Sequence, residues 1–257
     1  MTGRLAAGAA LACVLVQIGY PLTAGSTRDA VTVAIVVLAA AAAVVHAAAS
    51  LGARTALWYT TVVGGLGLGV EILGTATGFP FGTYEYALGR LGPALAEVPL
   101  LIPVAWIGGV YPVWIAAGLV SMRWRIPLTA FGVAGWDLYL DPQMVADGQW
   151  VWLDPDPTLP GLPDIPVSNF VAWCAVALVM TVLLPRTAPR EPAVPVALFC
   201  WTWLGSALAH LVFLGLPASA LYGLLGMGVV GVPLLRRGLA RWPGDSADRL
   251  RRPEAPG

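Results

Sequence analysis

The sequence predicts an all-α fold, a polytopic membrane helical bundle of about eight (seven to eight) transmembrane helices. Three observations carry that prediction. Hydrophobic residues make up 58% of the chain and charged residues 11%, with a mean hydropathy of +0.78, whereas a soluble domain is nearer half apolar and about a quarter charged. The apolar residues gather into eight runs, each near the ~20 residues needed to cross a bilayer. The fourteen basic residues, every one an arginine, fall mostly in alternate gaps between those runs.

In chain order the runs are Leu5–Thr23, Ala30–Leu51, Thr55–Thr77, Val98–Val120, Pro127–Leu140, Asn169–Leu184, Val194–Leu214 and Ala218–Leu235. The first also fits a signal peptide, with Arg4 ahead of it and Ala24-Gly25-Ser26 behind. Its length and the spans that follow favour a retained helix. A cytoplasmic N-terminus leaves twelve arginines on that side and only Arg28 and Arg90 on the other, as the positive-inside rule requires. Both termini are then cytoplasmic, in a bacterial cell membrane. We expect one integral-membrane helical domain over residues 1–240 and an Arg-rich disordered tail over 241–257 that touches anionic lipid. The two long loops, Gly78–Glu97 and Pro142–Ser168, lie outside. The second is acidic and rich in Pro and Gly, which fits either an ordered cover or a mobile loop.

A net charge of zero gives no reason to expect nucleic acid as a partner. Cys13, Cys174 and Cys200 sit within apolar runs without paired spacing, so neither a zinc site nor a disulfide framework is indicated. No metal and no cofactor are expected.

Chemistry concentrates in the stretch EILGTATGFPFGTYEY, Glu71 to Tyr86. Gly74 and Gly78 leave a bare helix face where a neighbouring backbone can come close, and Pro80 requires the helix to stop. Glu71 lies six residues before the end of its span, roughly 9 Å down at 1.5 Å per residue. Asp137 and Asp141 are four apart and share one face near the outer end of the fifth span. An intramembrane carboxyl costs about 2.5–3.5 kcal/mol and normally faces a cavity or a partner. Without a cation beside it, burial favours the neutral acid, which is a proton donor. Asp141, ahead of Pro142, also fits a helix-ending turn. Phe81, Tyr84, Trp106, Trp136 and Trp173 gather at this end, as cation-holding rings or as an interfacial aromatic belt. Asn169 fits either a helix N-cap or a residue that orients a water. His46 and His210 read first as hydrogen-bonded packing residues.

The run E-x-x-G-x-x-T-G-x-P-F-G-x-Y-x-Y resembles the signature of the multi-spanning carotenoid biosynthesis family that includes the CruF-type carotenoid 1,2-hydratases. Val98-Pro99-Leu100, Pro103 with Trp106, Asp137-x-x-x-Asp141-Pro142, Gly148-x-Trp150-x-Trp152 and Ile165-Pro166 with Asn169-Phe170 and Trp173 follow in the family's order. Departures fall at Gly161-Leu162-Pro163-Asp164 and at Ala172. The resemblance implies acid-catalysed hydration of the terminal isoprenoid double bond of an acyclic carotenoid end group, giving a tertiary alcohol. It also implies a lipophilic carotenoid substrate, a membrane lipid setting and other carotenoid-pathway enzymes as partners. For such a reaction Glu71 or Asp137 is the acid, with the other activating water, and Asp141 stands beside them. Tyr84, Trp106 and Trp136 would hold the cation, Phe81 and Trp173 would line the substrate site, and Asn169 would hold the water. A carotenoid end-group cyclase begins with the same protonation. A proton-coupled membrane transporter is the reading from another class, set back by the lack of an internal repeat, and a noncatalytic carotenoid-binding scaffold is a third.

The arginine split makes the topology testable. Reporter fusions after Arg123 and Arg190 should read cytoplasmic, and fusions near Arg90 and Asp156 external. A cytoplasmic signal at Asp156 would overturn the placement of the acids near the outer face.

Overall fold

The computed structural model describes residues 2–241; beyond Arg241, the expected tail lies outside the described residues. Eight rods run in alternating directions. They are α1 (Thr2–Gly19), α2 (Gly25–Leu51), α3 (Ala53–Thr77), α4 (Leu101–Val120), α5 (Arg125–Ala146), α6 (Val167–Leu183), a seventh made of α7 (Ala193–Cys200) and α8 (Ser206–Val212), and α9 (Pro217–Arg241). One wide π turn, Trp201–Gly205, joins α7 to α8. Among the described residues six rods are long and apolar enough to cross a membrane. Of the other two, α6 is a shorter apolar helix, and α5 is long but carries Arg125, Asp137 and Asp141. The molecule is an all-α polytopic membrane bundle.

The central rod is α4, which packs against α2, α3, α5, α7 and α9. Its buried residues lie on every side, Trp106, Ile107, Val110, Tyr111, Val113 and Trp114 among them. Close packing with α9 comes from glycine, since Gly135 of α5 and Gly226 of α9 bring the two backbones into contact. Small residues let helix backbones approach in this way.

Several ends differ from those expected. The fourth helix starts at Leu101, because Val98–Pro99 forms a strand with Ala94–Leu95. The fifth does not stop at Leu140. It runs through Pro142 to Ala146, so Asp141 is a helical residue and not a turn former. Proline has no N–H to give the carbonyl four residues back, which here belongs to Leu138. The Ser219 hydroxyl of α9 donates to that carbonyl at 2.6 Å, and the helix continues.

Both long loops are ordered and fold over one end of the bundle. The first leaves α3 at Gly78, whose φ of 76° suits glycine and whose N–H donates to Gly74 O at 2.7 Å, a left-handed helix cap. It then forms β1 (Tyr84–Tyr86), β2 (Ala94–Leu95) and β3 (Val98–Pro99), and the second loop forms β4 (Trp150–Trp152), β5 (Thr158–Leu159) and β6 (Leu162–Pro166). The two loops join through β1 and β4, antiparallel, with Tyr84 opposite Trp152 and Tyr86 opposite Trp150. Successive strand residues point to opposite faces, so Tyr84, Trp150 and Trp152 are buried while Glu85 and Val151 are exposed. An ionic latch ties this cap down. Arg90 reaches Asp29 at 2.7 Å, Arg28 reaches Asp147 at 3.0 Å, and the Gln149 amide donates to Asp29 at 2.7 Å.

The α5–α9 crossing sets a stability prediction. A Cβ on Gly226 would stand 2.7 Å from the Gly135 Cα, and backbone has little room to yield. Gly226→Val should lower the unfolding free energy in detergent by about 1–3 kcal/mol or more, the usual range for overpacking. A melting curve unchanged from wild type would contradict the crossing.

Candidate active site

Beneath the cap lies a cavity of ≈220 Å³ between α1, α2, α4, α5, α6 and the seventh rod. Its volume exceeds the ~150 Å³ of an apolar cavity that admits benzene. Glu71, Phe81, Tyr84, Trp106, Trp136, Asp141, Asn169 and Trp173, all anticipated from sequence, line one side of it. Asp137 does not line the cavity; it sits directly behind, fully buried.

Glu71 is held in a cage of donors. The Tyr84 and Tyr86 hydroxyls donate to its Oε2 at 2.6 and 2.8 Å, and the Trp106 indole N–H donates to its Oε1 at 3.3 Å. Burial, with Glu71 close by, holds both phenols protonated well above the usual tyrosine range, so both remain donors. Hydrogen bonds to a charged group are worth about 1.5–3 kcal/mol each, and three of them suit a carboxylate. Gly74 makes the cage possible, because a Cβ there would stand 2.6 Å from the Tyr84 hydroxyl. The bare face of α3 thus admits a tyrosine side chain, not the neighbouring backbone that the glycine spacing suggested.

The two aspartates are arranged differently. Asn169, in the first turn of α6, gives one N–H to Asp137 Oδ2 at 3.0 Å and the other to Asp141 Oδ2. It therefore clamps the pair, and the N-cap position falls to Pro166. One amide thus holds the two carboxyls side by side. Asp137 Oδ1 is buried without a hydrogen-bond partner. Among the described residues no arginine pairs with any of the three acids. A hydrogen bond between two carboxyls needs one proton held between them.

The rings are closely fitted. Trp106 stacks on Trp173 at 3.8 Å, and Trp136 meets Trp173 edge-on at 5.7 Å, its ring end seated over Gly109. Phe81 packs edge-on against Tyr84, and its carbonyl accepts the Trp152 indole N–H at 3.0 Å. Of the histidines, His46 bonds Tyr111 and the Glu191 carbonyl, a packing role. His210 also lines the cavity, its Nδ1 2.8 Å from the Ser219 hydroxyl and its Nε2 3.1 Å from Gln143 Oε1. Sequence reasoning missed Tyr86 as a Glu71 partner and the pairing of the two aromatic strands. The signal was present in the shared alternation of Tyr84-x-Tyr86 and Trp150-x-Trp152. Among the residues whose side chains are described, no cluster of three His, Cys, Asp or Glu is placed to hold a metal.

Comparisons with known proteins meet this site. The model of the family described as carotenoid biosynthesis protein matches residues 31–231, which include Glu71, Asp137, Asp141 and the rings beside them. A relative from Haloarcula japonica, a bisanhydrobacterioruberin hydratase, is 31% identical over 112 residues. That match covers 41% of this chain and 36% of the relative's own length, so the chain spans little more than a third of that curated protein. No solved structure matches the chain.

The donor cage yields a coupling that can be measured. In a double-mutant cycle of Glu71→Gln and Tyr84→Phe, unfolding free energies should reveal an interaction of about 0.5–3 kcal/mol, the range for residues in one buried network. Additive effects would mean that the bond does not form.

Proposed function

Because the chain belongs to the carotenoid biosynthesis protein family, we propose that it is a cofactor-independent hydratase adding water to the terminal isoprenoid double bond of an acyclic carotenoid. The observation that carries this reading is the contrast between the acids: two aspartate carboxyls held side by side on one amide, and a glutamate carboxyl supplied with three donors.

Protonating a trisubstituted alkene requires a strong neutral acid and creates a tertiary cation. Asp141 faces the cavity and serves as the donor, with Asp137 behind it sharing and positioning the proton. The electrons of the double bond form the new C–H bond, and the positive charge falls on the more substituted carbon. Glu71 faces that charge as a fixed anion, and the Tyr84, Trp136 and Trp173 rings add cation–π attraction, about 2 kcal/mol or more when desolvated. A preorganised environment of this kind lowers the barrier without rearranging as the reaction proceeds. Water then bonds through oxygen to the cationic carbon, and its surplus proton returns to the aspartate pair. The carotenoid reaches the cavity from the lipid, with the cap toward the outer face, where Arg28 and Arg90 lie.

Expression in a host that accumulates an acyclic carotene tests the reading. The product should be heavier by one water, more polar, and hardly changed in chromophore. Its hydroxyl should carry label from heavy-oxygen water under anaerobic conditions. Glu71→Gln, Asp137→Asn and Asp141→Asn should each lower turnover by at least about 10²-fold while the protein still reaches the membrane. A product of unchanged mass would replace the hydratase with a cyclase, and full activity in the aspartate variants would remove the pair from the chemistry.

A further inference from the structure

The cavity has a second polar side that the acid chemistry leaves unused. Around α5, at 3.6 residues per turn, Trp136, Leu140 and Met144 form the apolar stripe facing the cavity. Asp137 and Asp141 flank it on one side, Tyr139 and Gln143 on the other. Across from Gln143, at the end of α1, stands Tyr20, which is 4% exposed and lines the cavity. Its hydroxyl is buried without a hydrogen-bond partner, and Gln143 and Thr32 line the same cavity. A buried hydroxyl without a partner costs stability.

His210 completes this side, and the Pro142 bend fixes its tautomer. Ser219 gives its only proton to the Leu138 carbonyl, so toward His210 Nδ1 at 2.8 Å it accepts. Nδ1 therefore carries the hydrogen, and Nε2 of the neutral ring is the acceptor; it receives the Gln143 side-chain N–H once the amide is turned so that its nitrogen, not its oxygen, takes the position 3.1 Å away. Tyr20, Gln143 and His210 sit just under the ionic latch, where the Arg28 guanidinium lies over the Tyr20 ring at 5.2 Å. An ordered water needs two to four polar partners and room, and this corner has both.

We propose that Tyr20 and Gln143, with His210 behind Gln143, form a subsite for a neutral hydroxyl group, occupied by the water that attacks the cation. The inference rests on the hydratase reading. The held water bonds through oxygen to the tertiary carbon from the flank opposite the aspartates, and its surplus proton returns to the pair as above. Tyr20 is a positioning residue, since protonation does not need it.

The test uses the full-length protein in membranes, an oxygen-free acyclic carotene, so that water is the only hydroxyl available, and D2O. Without the water held in place, the cation should lose a proton back to the pair. Tyr20→Phe should cut hydration roughly tenfold or more while recovered carotene still gains deuterium at its terminal double bond. It should melt no lower than wild type, because the hydroxyl it removes bonds no protein group. Gln143→Met should shift the same partition. Tyr20→Phe that hydrates like wild type, that loses deuterium uptake along with hydration, or that fails to fold would overturn the subsite alone. A wild-type protein that yields no hydrated pigment would overturn the hydratase reading and the subsite together.

Discussion

A carboxyl carried into a bilayer must find its hydrogen-bond donors within the protein, because neither water nor a cation waits there. This chain carries three, and much of the bundle is arranged around that requirement. Glu71 draws donors from β1 and α4, so the first loop must return over the end of α3. The loop in turn needs β4 to hold it, which brings the second loop across. Asp137 and Asp141 draw on Asn169, which fixes the depth and rotation of α6 against α5. Meeting the demands of three acids therefore positions two loops and three helices. The solution differs at each acid. One receives a full set of donors and is suited to hold charge, while the others share a single amide and are suited to hold a proton.

Much of this was legible in the sequence. The eight runs correspond to the eight rods, since length and hydropathy are properties of each segment alone. Ends were less legible where a distant partner decides them. Pro142 reads as a helix stop because its neighbours along the chain show nothing that replaces the lost N–H. The replacement is Ser219, 81 residues away. The acids and most of the rings could be chosen from spacing, but spacing does not say which aspartate faces the cavity. That depends on the rotation of α5, and the rotation is set by the glycine contact between Gly135 and Gly226. The strand pairing across the cap was written in two alternating aromatic motifs 64 residues or more apart, and neither motif alone specifies its partner.

The sequence places the acids near the outer ends of their spans, beside two long loops, and the structure encloses them beneath those loops. Trp150, Trp152 and Tyr84 are all buried, and the cap they form is closed by the latch of Arg28, Asp29, Arg90 and Asp147. Exclusion of bulk solvent strengthens every electrostatic contact inside.

The bond from Ser219 to Leu138 also bears on how the protein is made. Helices enter a membrane from the N-terminus onward, and α5 arrives well before α9. Until α9 follows, the Leu138 carbonyl faces hydrocarbon without a donor, a state that costs several kcal/mol in lipid. The growing chain therefore holds α5 in an incomplete form that the last helix resolves. Synthesis that halts before α9 leaves a membrane intermediate with an open hydrogen-bonding group at mid-helix, the kind of exposed defect that membrane proteases and chaperones can recognise. Arrival of α9 thus doubles as a check on α5.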